Sequence, residues 1–225
     1  MAKNMTLLWH SGSAPCWRVL IALEEKNLRG YNQQRLSIYK MQHRSQEVLE
    51  INPRGQLPAF KHGNLLLNES YAACFYLESQ FRKQGNKLMP DCPAELAMMY
   101  QRMFEGITLY HKIRCLIYYP RKNPEDEQEN NAVRIMEKAL REEVNLWEGY
   151  MKKEPKPFLT GQTFSLSDVT VYPAMALLFY AGLPLERYPK LGEYYTHLKG
   201  WPSIKTTWPQ NWLKNPEGHH LLKHI

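Results

Sequence analysis

Asn52-Pro53-Arg54-Gly55-Gln56-Leu57-Pro58 constrains the fold of this chain more than any other stretch, and eleven residues after Pro58 it is followed by Glu69-Ser70. It reads as a loop running into a short strand, with Pro58 where the strand begins. Proline cannot donate to a ladder, so it belongs at an edge, a bulge or a tight turn. Were the Leu57–Pro58 bond cis, the turn would present the N–H and C=O of Leu57 sideways. A peptide-like ligand could then pair with them as an added strand. Glu69-Ser70 supplies a carboxylate and a hydroxyl at a helix start, after the apolar run Leu65-Leu66-Leu67. Together the two stretches predict a site that grips a small, charged, peptide-like molecule.

The surrounding pattern predicts a compact α/β unit. Thr6 to Trp9 reads as a strand, and Pro15 sits in the first turn of a helix that runs to about Lys26. A weak strand over Arg35 to Ile38 follows, then a short helix from Gln46 to Ile51 with Val48 and Leu49 inward. Next come a hairpin turning at His62-Gly63-Asn64 and a third helix from Glu69 to about Phe81. The order is β-α-β-α-β-β-α over residues 1–84. Residues 85–92, in a polar, proline-containing stretch, read as a linker.

Residues 93–225 read as an all-helical domain. Ala94 to Tyr119 is one long helical pattern that places Leu96, Met99, Met103, Ile107, Tyr110 and Arg114 on one face, with Pro120 ending it. After the polar stretch Asn123 to Asn131, a second long helix runs through Ile135, Leu140, Val144 and Leu146 to Tyr150. Ser165-Leu166-Ser167-Asp168 is a capping-box variant before an apolar run, which gives Asp168 a folding role and no catalytic one. Later helices are expected around Tyr188 to Lys199 and Ser203 to Trp208. The tail with Gly218-His219-His220 and His224 reads as a floppy end and not as a metal site.

Charge and cysteine use narrow the function classes. A net charge of +7 invites a nucleic-acid partner, but the lysines and arginines are scattered and no basic run of five occurs. No apolar run approaches the roughly 20 residues of a membrane span. No apolar signal core precedes the first strand, and Cys16, Cys74, Cys92 and Cys115 form no Cys-x-x-Cys pair. Both observations predict a cytoplasmic protein with reduced thiols.

These residues resemble the cytosolic glutathione transferases, and the resemblance covers nearly the whole chain. Ser13-Ala14-Pro15-Cys16 is similar to the turn of the serine-type delta and theta classes, Trp17-Arg18-Val19 to the zeta class, and Asn52 to Pro58 to the phi-class loop. Taken together the sequence most resembles the rho class of fishes. The resemblance implies a thioredoxin-like first domain, an all-α second domain, a homodimer, and conjugation of the glutathione thiolate to small hydrophobic electrophiles in detoxification. Glutathione is then the co-substrate, with no metal. A glutathione-dependent isomerase or peroxidase, and a non-catalytic glutathione or ligand carrier, are the alternatives on the same scaffold.

A free thiol titrates near about 8.5, so the protein must favour the thiolate. A hydroxyl that donates to sulfur at a helix N-terminus does so. Ser13, two residues before Pro15, can supply both effects, and the resemblance makes it the catalytic serine. Ser11 in the same turn is the rival, and an N-cap role alone is the plainer reading of Ser13. Cys16 reads as a small buried hydrophobe sooner than as a reactive thiol.

By the same resemblance Glu69 takes the γ-glutamyl amine and Ser70 the neighbouring carboxylate, while Leu57, with Pro58 and Gln56, holds the cysteinyl backbone. His43 contacts the glycyl end, with Lys40 close by. Gly55 and Tyr71 depart from classes that carry histidine and arginine there, which weakens the expected grip. Met103, Ile107, Tyr110, Arg114 and Tyr118, with further walls near Trp208 and Trp212, are the implied electrophile site between the domains.

Overall fold

The structure, a computed structural model, describes residues 2–119, 127–153, 156–215 and 220–225 of the 225. The chain divides into two compact units, Met1–Asp91 with Gly200–Asn215, and Cys92–Lys199 with Pro216–Ile225. Among the described residues no helix is long and apolar enough to cross a membrane.

The first unit begins β1 (Met5–Trp9), α1 (Ala14–Glu25), β2 (Asn32–Arg35), a 3-10 turn (Gln42–Arg44), α2 (Gln46–Ile51), β3 (Ala59–His62), β4 (Leu65–Leu67) and α3 (Ser70–Gln80). This is the expected element order. The sheet runs β2-β1-β3-β4, with β1 and β2 parallel and the other pairs antiparallel. Successive side chains of a strand point to opposite faces, and Leu7 and Leu8 of β1 are both fully buried, so this central strand is covered on both sides. Leu8 packs with Leu36, Val48, Ile51 and Ala59 beneath α2, while α1 and α3 pack on each other.

Two details of this unit differ from expectation. The second strand is Asn32–Arg35, not Arg35 to Ile38, and all four of its side chains are exposed. It is an edge strand held by backbone pairing to β1, which side-chain hydropathy cannot reveal. In α2 the inward residues are Val48 and Ile51, whereas Leu49 is exposed.

The second unit contains α4 (Pro93–Ile117), α5 (Glu127–Lys153), α6 (Leu166–Tyr180) and α7 (Pro189–Lys199). Helix α6 is buried along its length from Leu166 to Leu178, and α4 and α7 pack against it. Its capping box is present, and the Ser165 N–H donates to Asp168 Oδ2 at 3.0 Å. The buried stripe of α4 is Met99, Arg102, Met103, Gly106, Leu109, Ile113 and Leu116. Relative to the expected face, Met99 and Met103 remain but Ile107 and Arg114 turn outward. On α5, Val133, Leu140, Val144 and Trp147 are buried, while Ile135 and Leu146 are exposed. The expected end of α4 at Pro120 and residues 123–126 lie outside the described residues.

Of residues 85–92, those up to Asp91 belong to the first unit and Cys92 to the second. Asn86 donates from its N–H to Glu25 O (2.9 Å) and from its amide to Glu25 Oε2 (2.7 Å). Fully buried Lys26 lies 2.5 Å from Glu78 and donates to Asn86 O at 2.8 Å. Glu78 in turn accepts the N–H of buried Leu88 at 3.2 Å.

The same holds for the chain's later part. Gly200–Asn215, expected in the helical domain, forms α8 (Pro202–Thr206) and α9 (Gln210–Lys214) within the first unit. Helix α8 packs on α1, and Trp17 Nε1 donates to Thr207 Oγ1 at 2.8 Å. The described part of the tail is anchored in the second unit: Leu222 and Ile225 are fully buried, and the Leu222 N–H donates to Ala181 O at 2.9 Å. Gly218 and His219 lie outside the described residues. Among the described residues no group of three His, Cys, Asp or Glu is placed to hold a metal.

Candidate active site

Ser13 caps α1 from an extended backbone conformation, and Pro15 opens the helix behind it. Its Oγ accepts the Cys16 N–H at 3.5 Å. Beyond Cys16, its hydroxyl has no partner among the described residues, so this O–H can turn to an anion placed at the helix N-terminus.

Ser11 is engaged elsewhere. Its hydroxyl, on a residue only 6% exposed, donates to Asn211 Oδ1 at 2.7 Å and accepts the Asn211 N–H at 3.4 Å. Cys16 is buried and accepts the His10 N–H at 3.3 Å. Burial pushes its thiol up to about 11 against the opposing pull of Ser13, His10 and Arg18. It is therefore protonated at neutral pH and packs as a small hydrophobe.

The loop before β3 is organised by Asn52, which is almost fully buried. Its side chain donates to Gln56 O (2.8 Å) and accepts the Arg54 N–H (3.1 Å), while its C=O accepts the Gly55 N–H (2.8 Å). Gly55 has φ +60°, and a Cβ there would lie 2.7 Å from the Arg44 guanidinium. Gln56 is exposed, Leu57 half-buried and Pro58 buried, and the Leu57–Pro58 peptide is cis. Among the described residues neither the N–H nor the C=O of Leu57 has a backbone partner.

Glu69 and Ser70 open α3. The exposed Glu69 carboxylate stands at the helix N-terminus beside Arg54 Nη1 at 2.9 Å. Ser70 is buried, and its Oγ accepts from Arg18 Nη1 at 3.2 Å. Its hydroxyl proton has no acceptor among the described residues. The Arg18 guanidinium also lies over the Tyr71 ring at 4.7 Å. His43, half-buried on the 3-10 turn, has a buried Nδ1 with no hydrogen-bond partner among the described residues, and Lys40 is exposed.

The residues expected to touch the electrophile fall into both units. On α4, Met103 is fully buried, Ile107, Arg114 and Tyr118 are exposed, and the Arg114 guanidinium lies 5.9 Å from the Tyr110 ring centroid. Trp208 belongs to the first unit, edge-on to Trp17 at 5.2 Å and to Trp212 at 5.9 Å. Helix α9, which carries Asn211 and Trp212, is absent from the sequence expectation. Pro209 just ahead of it is a helix-start signal, but five residues are too few to show a period.

Residues 9–85 match the N-terminal domain of glutathione S-transferases, and residues 108–209 match their C-terminal domain. The chain is 59% identical to glutathione S-transferase A of Pleuronectes platessa over 225 residues, the full length of both. A crystal structure of a glutathione S-transferase from the Antarctic clam Laternula elliptica superposes with a TM-score of 0.87 at 33% identity, over 99% of this chain and 100% of that one. A delta-class glutathione transferase of Nilaparvata lugens gives 0.76 at 25% identity, over 91% and 92% of the two chains. The chain belongs to the glutathione S-transferase family.

Proposed function

We propose that this protein binds glutathione in its first unit and conjugates the glutathione thiolate to small hydrophobic electrophiles. The observation that carries the proposal is shared by two helix starts. Ser13 at α1 and Ser70 at α3 each have an Oγ that accepts a bond from the protein, and among the described residues neither hydroxyl is committed beyond these contacts and the Cys16 thiol beside Ser13. Two anions are thereby provided for, the thiolate at Ser13 and the γ-glutamyl carboxylate at Ser70.

The ligand's remaining groups have matching partners. The γ-glutamyl ammonium meets Glu69, and the cysteinyl backbone pairs with the N–H and C=O of Leu57 beside Pro58 and Gln56. The glycyl end reaches His43. One hydrogen bond to an anion is worth about 1.5–3 kcal/mol, and a helix N-terminus adds about 0.3–1 kcal/mol. Those terms lower a thiol pKa by about one to three, enough to ionise it near neutral pH. The thiolate then attacks an electrophilic carbon, and the leaving group departs with the bonding pair. Ser13 stabilises the anion and is not itself the nucleophile.

On α4 the exposed Ile107, Arg114 and Tyr118 and the half-buried Tyr110 offer a mixed apolar and polar surface to the electrophile, while buried Met103 holds the helix in place. The protein acts in the cytoplasm as a homodimer, which light scattering of the purified chain checks.

The decisive experiment replaces Ser13 by alanine and measures conjugation of a generic aryl halide together with glutathione binding. Lost turnover with binding retained is the expected result. Full activity in the variant would remove Ser13 from the mechanism, and binding without turnover in the native protein would leave a carrier.

A further inference from the structure

The turn that carries Ser13 is held from the other end of the chain. Ser11 and Asn211, 200 residues apart, exchange two hydrogen bonds, with Ser11 Oγ donating to Asn211 Oδ1 at 2.7 Å and the Asn211 N–H returning to Ser11 Oγ at 3.4 Å. Between Ser11 and Ser13 lies Gly12, at φ +81°. A Cβ on Gly12 would stand 2.5 Å from Asn211 Nδ2 and 3.1 Å from Trp212 Nε1. The segment is seated by Trp212, which is buried and edge-on to Trp17 at 5.5 Å, one residue beyond Cys16 on α1. Helix α9 therefore meets every residue of the turn before Ser13, and Gly12 is the residue that lets it approach so closely.

We propose that Asn211 is a positioning residue for the conjugation reaction, fixing the Ser11–Gly12–Ser13 turn so that the Ser13 hydroxyl points at the glutathione sulfur. The inference rests on the assignment of Ser13 under Proposed function. A hydroxyl stabilises a thiolate only over a short distance and a narrow angle. The Ser13 C=O accepts the Trp17 N–H at 2.9 Å and so belongs to α1, but on its loop side Ser13 has a long bond from its N–H to His10 O at 3.4 Å, and its Oγ has a long capping bond at 3.5 Å. The short side-chain bond in the turn belongs to Ser11. Fixing Ser11 and Gly12 removes the turn's freedom to rotate the Ser13 Oγ away from the sulfur. Asn211 is itself exposed, so shortening its side chain opens no core cavity and separates positioning from folding.

The test is the pKa of glutathione bound to the full-length protein, read from thiolate absorbance in the ultraviolet as pH is raised. Wild type, S13A, N211A, N211D and S11A are compared, with thermal melting as a check on the fold. N211A and S11A should each raise the bound thiol's pKa by about one, with little change in glutathione affinity. N211D keeps the acceptor for Ser11 but adds a negative charge near the thiolate, so at high salt, where that charge is screened, it should shift the value less than N211A. An N211A value equal to wild type, in a series where S13A does raise the pKa, overturns the positioning role and leaves Ser13 in place. An unshifted S13A overturns the Ser13 assignment itself. Equal shifts in N211A and N211D at high salt also count against the proposal, because they would trace the effect to something other than the acceptor. If N211A melts early, S11A removes the same bond from the opposite side and decides the question.

Discussion

Arg54 Nη1 lies 2.9 Å from Glu69 Oε1, and the two side chains are 69% and 67% exposed. Without a ligand, the carboxylate proposed for the γ-glutamyl ammonium thus already has a cation. An exposed ion pair of this kind is worth about 0.2–1 kcal/mol. Glutathione's amine must displace or share that partner, so the loop that helps bind the tripeptide also competes with it.

Arg54→Ala should therefore tighten glutathione binding by about two- to fivefold at low salt, with the gain fading as salt screens the pair. Glu69→Gln should do the opposite, weakening binding by about 2 kcal/mol, since a charge-assisted bond to the ammonium is lost. Titration calorimetry at two salt concentrations reads both. Weaker binding in Arg54→Ala would show that Arg54 contacts the tripeptide directly.

Lys26 and Glu78 form an ion pair that is almost fully buried, closed by Asn86 O and the Leu88 N–H. Removing the lysine leaves a carboxylate stranded in the interior, so Lys26→Ala should cost about 3–5 kcal/mol. The double change Lys26→Met with Glu78→Met removes both charges and should recover most of that loss. Urea unfolding followed by tryptophan fluorescence distinguishes the two. Equal losses in both variants would place the effect in packing and not in charge.

Asp168 is buried, and desolvation pushes its carboxyl from 3.8 to about 6, although Leu159 N–H, Ser165 N–H, the Ser165 hydroxyl and the Tyr194 hydroxyl all donate to it. Because the folded value lies above the unfolded one, the native state holds its proton longer. Stability from this group therefore falls as pH rises from about 4 to 6 and is level above that. The gap is worth about 3 kcal/mol. Measured against Asp168→Asn, which does not titrate there, wild type should lose about that much between pH 4 and 7 in matched urea titrations. A difference that stays flat or grows with pH would show that the four donors outweigh burial.

Much of the local structure is legible in the sequence, because its signals are local. Pro15 after Ser13, the turn at His62-Gly63-Asn64 and the Ser165–Asp168 box each act within a few residues, and each feature is where the sequence puts it. Helix faces are less legible. On α4 apolar residues lie nearly all round the helix, and on the more amphipathic α5 Ile135 and Leu146 fall off the buried stripe, so Ile107, Ile135 and Leu146 face outward although hydropathy alone would turn them in.

The sequence by itself determined the order of elements, the loop around Asn52 and the serine that caps α1, since short-range sterics and hydrogen bonding specify each of them. Tertiary structure decided which chain segments belong together. Residues 85–92 look like a linker because they are polar, yet their polar groups are what bind them to Glu25, Lys26 and Glu78. Residues 210–214 are too few to show a helical period, yet they reach Ser11 across 200 positions. A hydrogen bond carries no record in either partner's neighbours along the chain. Only the folded geometry separates Ser11, whose hydroxyl is committed to α9, from Ser13, whose hydroxyl meets only Cys16 of the helix it caps.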